Sequence, residues 1–215
     1  ILYYFMKLGY MGQFKISKIK ENKEIIETYS EEEIKILLKK PNIKACSFIE
    51  YRNWVIANFL LGTGCRARTL INIRIEDLDF NNQLITYKIT KNRKQQIVPM
   101  GNSLKKVLIE YLEYRKPETL QDLLFVNAYG QPLRTDLLSQ SMCDYNRKKG
   151  VMKTGVHRWR HTFAKNWILA GGDIFRLQQI LGHSDISIIR NYVNMFTTDI
   201  QKDFNRFNPL ELVTS

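Results

Sequence analysis

The order of apolar and polar residues predicts a mostly helical chain with one small antiparallel sheet, an α+β fold. Ser30 and Glu33 have the spacing of a capping box, so a helix begins there. The apolar segment 48–64 predicts a longer helix that stops at Gly62 and Gly64. The predicted helices cover residues 1–12 (the last turns of a helix), 29–40, 48–64, 102–114, 134–148 and 156 almost to the end.

Two short segments alternate between apolar and polar residues and are rich in β-branched side chains. These segments, 84–89 and 96–100, predict paired strands joined by a basic loop. Residues 13–28 show no clean period and carry four lysines, so we interpret them as a basic linker. This linker is either a solvated spacer or a strap that lies on phosphates.

Composition favours a polyanionic partner. The chain has 33 Lys and Arg against 21 Asp and Glu, a net charge of +12 and a pI near 9.6. Such a surplus steers the protein toward nucleic acid and releases counterions on binding. Charge alone is equally consistent with a basic protein that has no such partner.

The thiols and the hydropathy argue against several other classes of protein. Cys46, Cys65 and Cys143 are scattered and have no CxxC spacing, which argues against a zinc site and favours a reducing cytosol. No segment reaches the roughly 18 apolar residues of a membrane span, and no signal peptide is visible. We therefore expect a cytoplasmic protein without a membrane partner. The first residue is Ile1 rather than Met, and we expect a longer parent protein.

The segment HRWRH, residues 157–161, concentrates basic side chains on one helix. Helical spacing places His157, Arg160 and His161 on one face, with Trp159 and Phe163 elsewhere and buried. Arginine binds phosphate oxygens bidentately, and imidazole exchanges a proton near neutral pH. The segment suits a phosphodiester, although alone it fits a solvated or salt-bridged basic helix face slightly better.

A metal site is not expected at this helix. His157 and His161 have the spacing of the zinc ligands in HExxH, but Arg158 stands where the glutamate belongs and would repel a dication. Further along, Gly182 ends a short helix, His183 follows it, and Tyr192 comes nine residues later. A lone tyrosine such as Tyr192 is expected by default to be a half-buried packing residue.

Together, HRWRHTFA and LGHSDISIIRNY resemble the C-terminal signature of the tyrosine recombinases, the lambda-integrase family. Residues 62–80 resemble the first box of that family, and TKNRKQQIVPM resembles its β-hairpin. All five motif segments occur in the family's order across residues 62–192. The resemblance implies the catalytic-domain fold of a phage- or conjugative-transposon-type integrase, an enzyme for DNA strand cleavage and transfer that needs no cofactor and no metal.

The resemblance implies six catalytic residues, the last of them the nucleophile: Arg66, Lys91, His157, Arg160, His183 and Tyr192. Lys91 is preferred to Lys94 because it lies eight residues before Pro99. Two departures stand out: Thr69 replaces the usual acidic residue three positions after the arginine, and Trp159 replaces an aliphatic residue. His161 is expected to be structural.

Physical chemistry gives each of these residues a role. Attack on a phosphodiester adds charge to the non-bridging oxygens, which Arg66 and Arg160 would stabilise. The Tyr192 phenol has a reference pKa of about 10 and needs positive surroundings and a base, for which His157 is the candidate. Lys91 would protonate the leaving 5′-hydroxyl. His183 would hydrogen-bond the phosphate.

The implied partners are double-stranded DNA and, on DNA, further copies of the chain as a tetramer. The implied setting is a bacterial or phage-encoded protein that acts on chromosomal DNA. Candidate DNA contacts outside the catalytic set are Lys15, Lys18, Lys20, Lys23, Arg68, Arg93, Lys94 and Arg158.

The predicted domain organisation has four parts: the end of an N-terminal core-binding domain (1–12), a basic interdomain linker (13–29), a catalytic domain (30–205) and a tail (206–215). The stripe of Ile200, Phe204 and Phe207 either folds back on its own domain or docks on a neighbouring protomer, and the resemblance favours docking. Two rival functions remain, a type IB topoisomerase-like relaxation of DNA and a non-catalytic DNA-binding module.

Overall fold

A computed structural model describes residues 2–12, 27–89 and 95–182. Eight α-helices lie within these ranges: α1 (Leu2–Lys7), α2 (Glu31–Leu38), α3 (Phe48–Thr63), α4 (Ala67–Leu70), α5 (Asn102–Arg115), α6 (Thr135–Lys148), α7 (Val156–Leu169) and α8 (Ile174–Leu181). Three strands accompany them: β1 (Leu78–Asp79), β2 (Leu84–Tyr87) and β3 (Gln96–Pro99). A 3-10 turn, Ile75–Asp77, precedes β1. The mostly helical fold with a small antiparallel sheet is confirmed.

Helix α2 begins at the predicted capping box. The Ser30 hydroxyl accepts a hydrogen bond from the Glu33 backbone N–H at 3.2 Å, and the Glu33 carboxylate accepts one from the Ser30 N–H at 2.8 Å. Two backbone donors that the helix leaves unpaired are thereby satisfied. The sequence signal and the local structure agree here.

Helix α3 is the central element of the core. It contacts α2, α5, α6 and α7, and ten of its sixteen residues are buried. A helix that is apolar on all sides is stable only when other elements cover it. Gly64 then ends α3 in the left-handed conformation, with φ +61°.

The sheet has the order β1-β2-β3, and both pairs are antiparallel. Ile85 pairs with Val98, and both are buried against the core. The predicted hairpin is therefore present, with β2 ending at Tyr87 and a short β1 that the sequence pattern did not indicate. Lys88 leaves the strand and pairs with Asp77 at 2.8 Å.

The helical pattern predicted from residue 156 onward has a break between α7 and α8. Gly171 adopts φ +75°, and the Trp167 indole N–H donates to the Asp173 carbonyl at 3.0 Å across the turn. Asp173 then caps α8, because its carboxylate accepts from the Arg176 N–H at 2.7 Å. The chain reverses here, so that the C-terminal end of α8 meets the C-terminal end of α3.

Candidate active site

The turn after α3 places Arg66 at the start of α4. Glycine is required at position 64 of this turn. Any other residue would place its Cβ atom 2.6 Å from Phe163 Cδ1 and 2.9 Å from Leu181 Cδ2, which is too close. Arg66 is the N-cap residue of α4 and is half-buried. Its guanidinium lies near the end of α8. A Cβ atom added to Gly182, the residue after that helix, would be 3.8 Å from Arg66 Nη1.

Arg160 on α7 joins the ends of two other helices. Its side chain is only 3% exposed, Nη1 donates to the Gly64 carbonyl at 2.6 Å, and Nη2 donates to the Leu181 carbonyl at 2.6 Å. Both carbonyls belong to helix C-termini, where the backbone carries partial negative charge. These bonds fix the plane of the guanidinium and stabilise its charge away from bulk water.

His157 and Arg66 line a common cleft of about 540 Å³. His157 is exposed one turn before Arg160 on α7, and the N-terminal turns of α6 lie opposite. The cleft is lined by Arg66, Ala67, Arg68, Thr69, Thr135, Asp136, Ser139, Gly155, Val156 and His157. Arg66 and His157, which are far apart in sequence, therefore line the same cleft, and the buried Arg160 lies one helix turn after His157 and is bonded to Gly64, two residues before Arg66. Arg68 is exposed at the rim of the same cleft.

A buried polar layer lies beneath Arg160. Burial raises the pKa of the Cys65 thiol to about 12 and raises the pKa of Tyr87 well above its usual value. The Thr63 hydroxyl donates to the Phe59 carbonyl at 2.7 Å and accepts from the Cys65 N–H at 3.3 Å. The Cys65 and Tyr87 side chains are buried and stay uncharged at neutral pH. Because these neighbours of the guanidinium are buried, its charge lies in surroundings of lower dielectric constant than water.

Arg158, a predicted DNA contact, contributes to a junction between α7 and residues 27–29. Its guanidinium donates to the Glu27 and Thr154 carbonyls and lies 6.0 Å from the centre of the Tyr29 ring. The Tyr29 N–H donates to the Thr162 hydroxyl at 3.1 Å. The local structure gives Arg158 this role in the junction, and its contact with DNA stays a prediction.

Tyr29 also explains the unusual tryptophan of the His-x-x-Arg segment. Trp159 is fully buried, as predicted, and its ring centre lies 4.6 Å from that of Tyr29. The Tyr29 hydroxyl accepts from the Asn146 amide at 2.8 Å, which ties α6 to the same cluster. Thr69, the other residue that departs from the family pattern, is buried in α4, three residues after the N-cap residue Arg66.

The remaining predicted site residues lie outside the described residues: Lys15, Lys18, Lys20, Lys23, Lys91, Arg93, Lys94, His183 and Tyr192. Their roles stay predictions. Within ranges 2–12, 27–89 and 95–182, no group of three or more His, Cys, Asp and Glu side chains could hold a metal ion. No helix in those ranges is long and apolar enough to cross a membrane.

Comparison with known proteins identifies the family. The model of the phage integrase family matches residues 27–198. The tyrosine recombinase XerD of Staphylococcus aureus is 29% identical over 195 residues, which cover 88% of this chain and 65% of that relative. The chain thus spans slightly under two thirds of the length of this curated relative.

Solved structures agree with this assignment. The XerA recombinase matches with a TM-score of 0.69 and 27% identity, over 96% of this chain and 72% of its own. The XerH site-specific recombinase bound to its difH substrate matches with a TM-score of 0.64 and 25% identity, over 77% of this chain and 49% of its own. The chain belongs to the phage integrase family, the tyrosine recombinases.

Proposed function

We propose that this protein is a site-specific DNA recombinase that cleaves and rejoins strands through a 3′-phosphotyrosyl intermediate. The observation that carries the proposal is the cleft between α4, α6 and α7, which Arg66 and His157 line, with Arg160 buried one turn after His157 and bonded to the Gly64 carbonyl. Family membership supports the same activity, and the solved structure of XerH is a complex with its difH substrate. The reaction would integrate or excise a mobile element.

In this mechanism the two arginines bind the scissile phosphate. Attack by Tyr192 places additional negative charge on the non-bridging oxygens, and Arg66 and Arg160 stabilise it electrostatically. Arg160 is held by two backbone carbonyls, so little reorganisation is needed when the charge develops. His157, at the exposed start of α7, accepts the phenol proton.

The leaving group and the second strand complete the cycle. Lys91 protonates the 5′-oxygen as the P–O bond breaks, while His183 hydrogen-bonds the phosphate. The phosphotyrosyl ester conserves the energy of the phosphodiester bond, so a 5′-hydroxyl from a partner strand reverses the step without ATP. The arginines supply positive charge, and the reaction proceeds without a divalent metal.

Assembly and location belong to the same proposal. The net charge of +12 favours binding to double-stranded DNA, and Arg68, exposed at the rim of the cleft, would contact a phosphate beside it. Four copies act on two DNA sites, with the tail at 206–215 docked on a neighbouring protomer. Because the XerD relative is bacterial, we place the reaction in the cytoplasm of a bacterium, on chromosomal DNA.

A nicked suicide DNA site tests the proposal directly. The wild-type protein should form a covalent adduct visible on a denaturing gel, and Tyr192→Phe should bind the site nearly as well without forming one. An adduct formed by Tyr192→Phe would contradict the assignment of the nucleophile. Relaxation of supercoils without recombination of paired sites would instead indicate a topoisomerase, and binding without any adduct a non-catalytic module.

A further inference from the structure

Gln96, at the start of β3, closes the C-terminal end of α8. Its side-chain Nε2 donates to the Gln179 carbonyl at 2.7 Å and to the Ile180 carbonyl at 2.7 Å. A carboxamide nitrogen carries two hydrogens, so both donors are used here. Helix C-termini leave four carbonyls without the regular intrahelical partner. Gln96 bonds two of these from a strand distant in sequence, and at Gln179 it adds to the bond from the Gly182 N–H at 3.3 Å.

Arg160 bonds the next carbonyl of the same helix end. Its Nη2 donates to the Leu181 carbonyl at 2.6 Å, so Gln96 and Arg160 together occupy three consecutive carbonyls of α8. If the Gln96 bonds are lost, the last turn of α8 can rotate, and the carbonyl that orients Arg160 moves with it. Gln96 and the Arg160 guanidinium are therefore linked through the backbone of α8.

The sheet holds Gln96 in the required place. Gln96 pairs with Tyr87 across β2 and β3, and directly opposed residues of an antiparallel pair lie on the same face of the sheet. Tyr87 is buried in the polar layer beneath Arg160. Gly182 follows α8 with φ +83°, and a Cβ there would lie 3.6 Å from Gln96 Oε1. Strand, helix end and arginine thus form one packed unit.

We propose that Gln96 is a positioning residue for the cleavage reaction: it fixes the C-terminal turn of α8, which in turn orients Arg160 toward the scissile phosphate. The inference rests on the proposed function, because it assigns Arg160 to the phosphate. Gln96 does not bind substrate in this role. It acts through the backbone carbonyls of residues 179–181.

Two variants of Gln96 and one control test the proposal. Gln96→Met keeps the length of the side chain and removes both donors, and Gln96→Glu places carboxylate oxygens against the two carbonyls. Gln179→Met is the matched control, since the exposed Gln179 side chain is replaced while its backbone carbonyl remains. Rates of covalent adduct formation are measured in single turnover on a suicide DNA site.

The substrate is prepared in two forms, a phosphodiester and a methylphosphonate at the scissile position. On the phosphodiester we expect Gln96→Met to be at least about tenfold slower, within the ~100-fold that a misplacement of about 1 Å can cause. Gln96→Glu should be as slow or slower, and Gln179→Met should match wild type. On the uncharged methylphosphonate the deficit of Gln96→Met should shrink, because the arginine then has less charge to stabilise.

Amide hydrogen exchange in the free protein gives an independent measurement. Peptides that cover 174–182 should exchange faster in Gln96→Met than in wild type. In Gln179→Met they should exchange at the wild-type rate. Wild-type rates in Gln96→Met, or an equal slowing on both substrates, would overturn the positioning role while leaving the recombinase proposal intact. Failure of wild type to form any adduct would refute the recombinase proposal and this inference with it.

Discussion

Replacement of Gly64 by alanine should damage both the fold and the site, because two independent constraints meet at that residue. Gly64 has φ +61°, a conformation that L side chains rarely adopt. Its Cβ would also lie 2.6 Å from Phe163 Cδ1 and 2.9 Å from Leu181 Cδ2, closer than van der Waals contact allows. The Gly64 carbonyl, meanwhile, accepts the bond from Arg160 Nη1.

The two costs can be estimated separately. A left-handed residue other than glycine costs about 1–2 kcal/mol of the free energy of unfolding. Overpacking of a well-packed core costs a further ~1–3 kcal/mol. The sum is about 2–5 kcal/mol, which corresponds to a fall in Tm of roughly 4–20 °C for a domain of this size.

Two other glycines separate these costs experimentally. Gly171 has φ +75°, and a Cβ added there would meet nothing within 4 Å, so Gly171→Ala should show the conformational cost alone. Gly101 has φ −66° and open space, and Gly101→Ala should stay within about 1 kcal/mol of wild type. Denaturant unfolding measures all three variants. Equal destabilisation of Gly64→Ala and Gly171→Ala would refute the packing argument.

The site should respond as well. Displacement of Leu181 by the new methyl group moves the carbonyl that Arg160 Nη2 bonds. At a temperature where the variant remains folded, adduct formation by Gly64→Ala should therefore be at least about tenfold slower than wild type. Wild-type cleavage by a folded Gly64→Ala variant would show that the position of Arg160 does not depend on this turn.

Three further predictions concern charge and reactivity. Arg66→Ala should slow adduct formation at least about a hundredfold, the scale for loss of one oxyanion donor, and single-turnover assays would measure it. Cleavage should persist in EDTA, and activity that vanishes with chelator and returns with magnesium would contradict the mechanism. Because burial raises the pKa of Cys65 to about 12, roughly one thiol in 10,000 is ionised at pH 8. Alkylation followed by mass spectrometry should thus label Cys46 and Cys143, which are partly exposed, well before Cys65.

Local signals in the sequence were sufficient for most of the secondary structure. The capping box of α2 and the alternating residues of β2 and β3 depend on near neighbours, and the structure has these elements at the predicted positions. The break between α7 and α8 was missed, although Gly171 and Gly172 occur there. A helical period continues across those residues, and the prediction followed it rather than the glycines that end α7 and the Asp173 that caps α8.

The candidate site was less accessible to sequence reasoning. Residue types and helical spacing indicated His157 and Arg160, and the resemblance to the tyrosine recombinases added Arg66. Nothing local indicated Gln96, whose role depends on helix carbonyls more than eighty residues away in the chain. The dual role of Gly64 was hidden for the same reason, since its close neighbours come from α7 and α8.

Helix α7 connects these observations, because each of its faces contacts a different part of the chain. Trp159 packs on Tyr29, and Thr162 accepts from the Tyr29 N–H, so the segment just before α2 is attached to the helix. Arg160 bonds the ends of α3 and α8 through Gly64 and Leu181. A change in the position of residues 27–29 would therefore be transmitted to the guanidinium through one rigid helix turn. The residues that bind phosphate in the proposed mechanism are thus held by contacts that no single sequence motif contains.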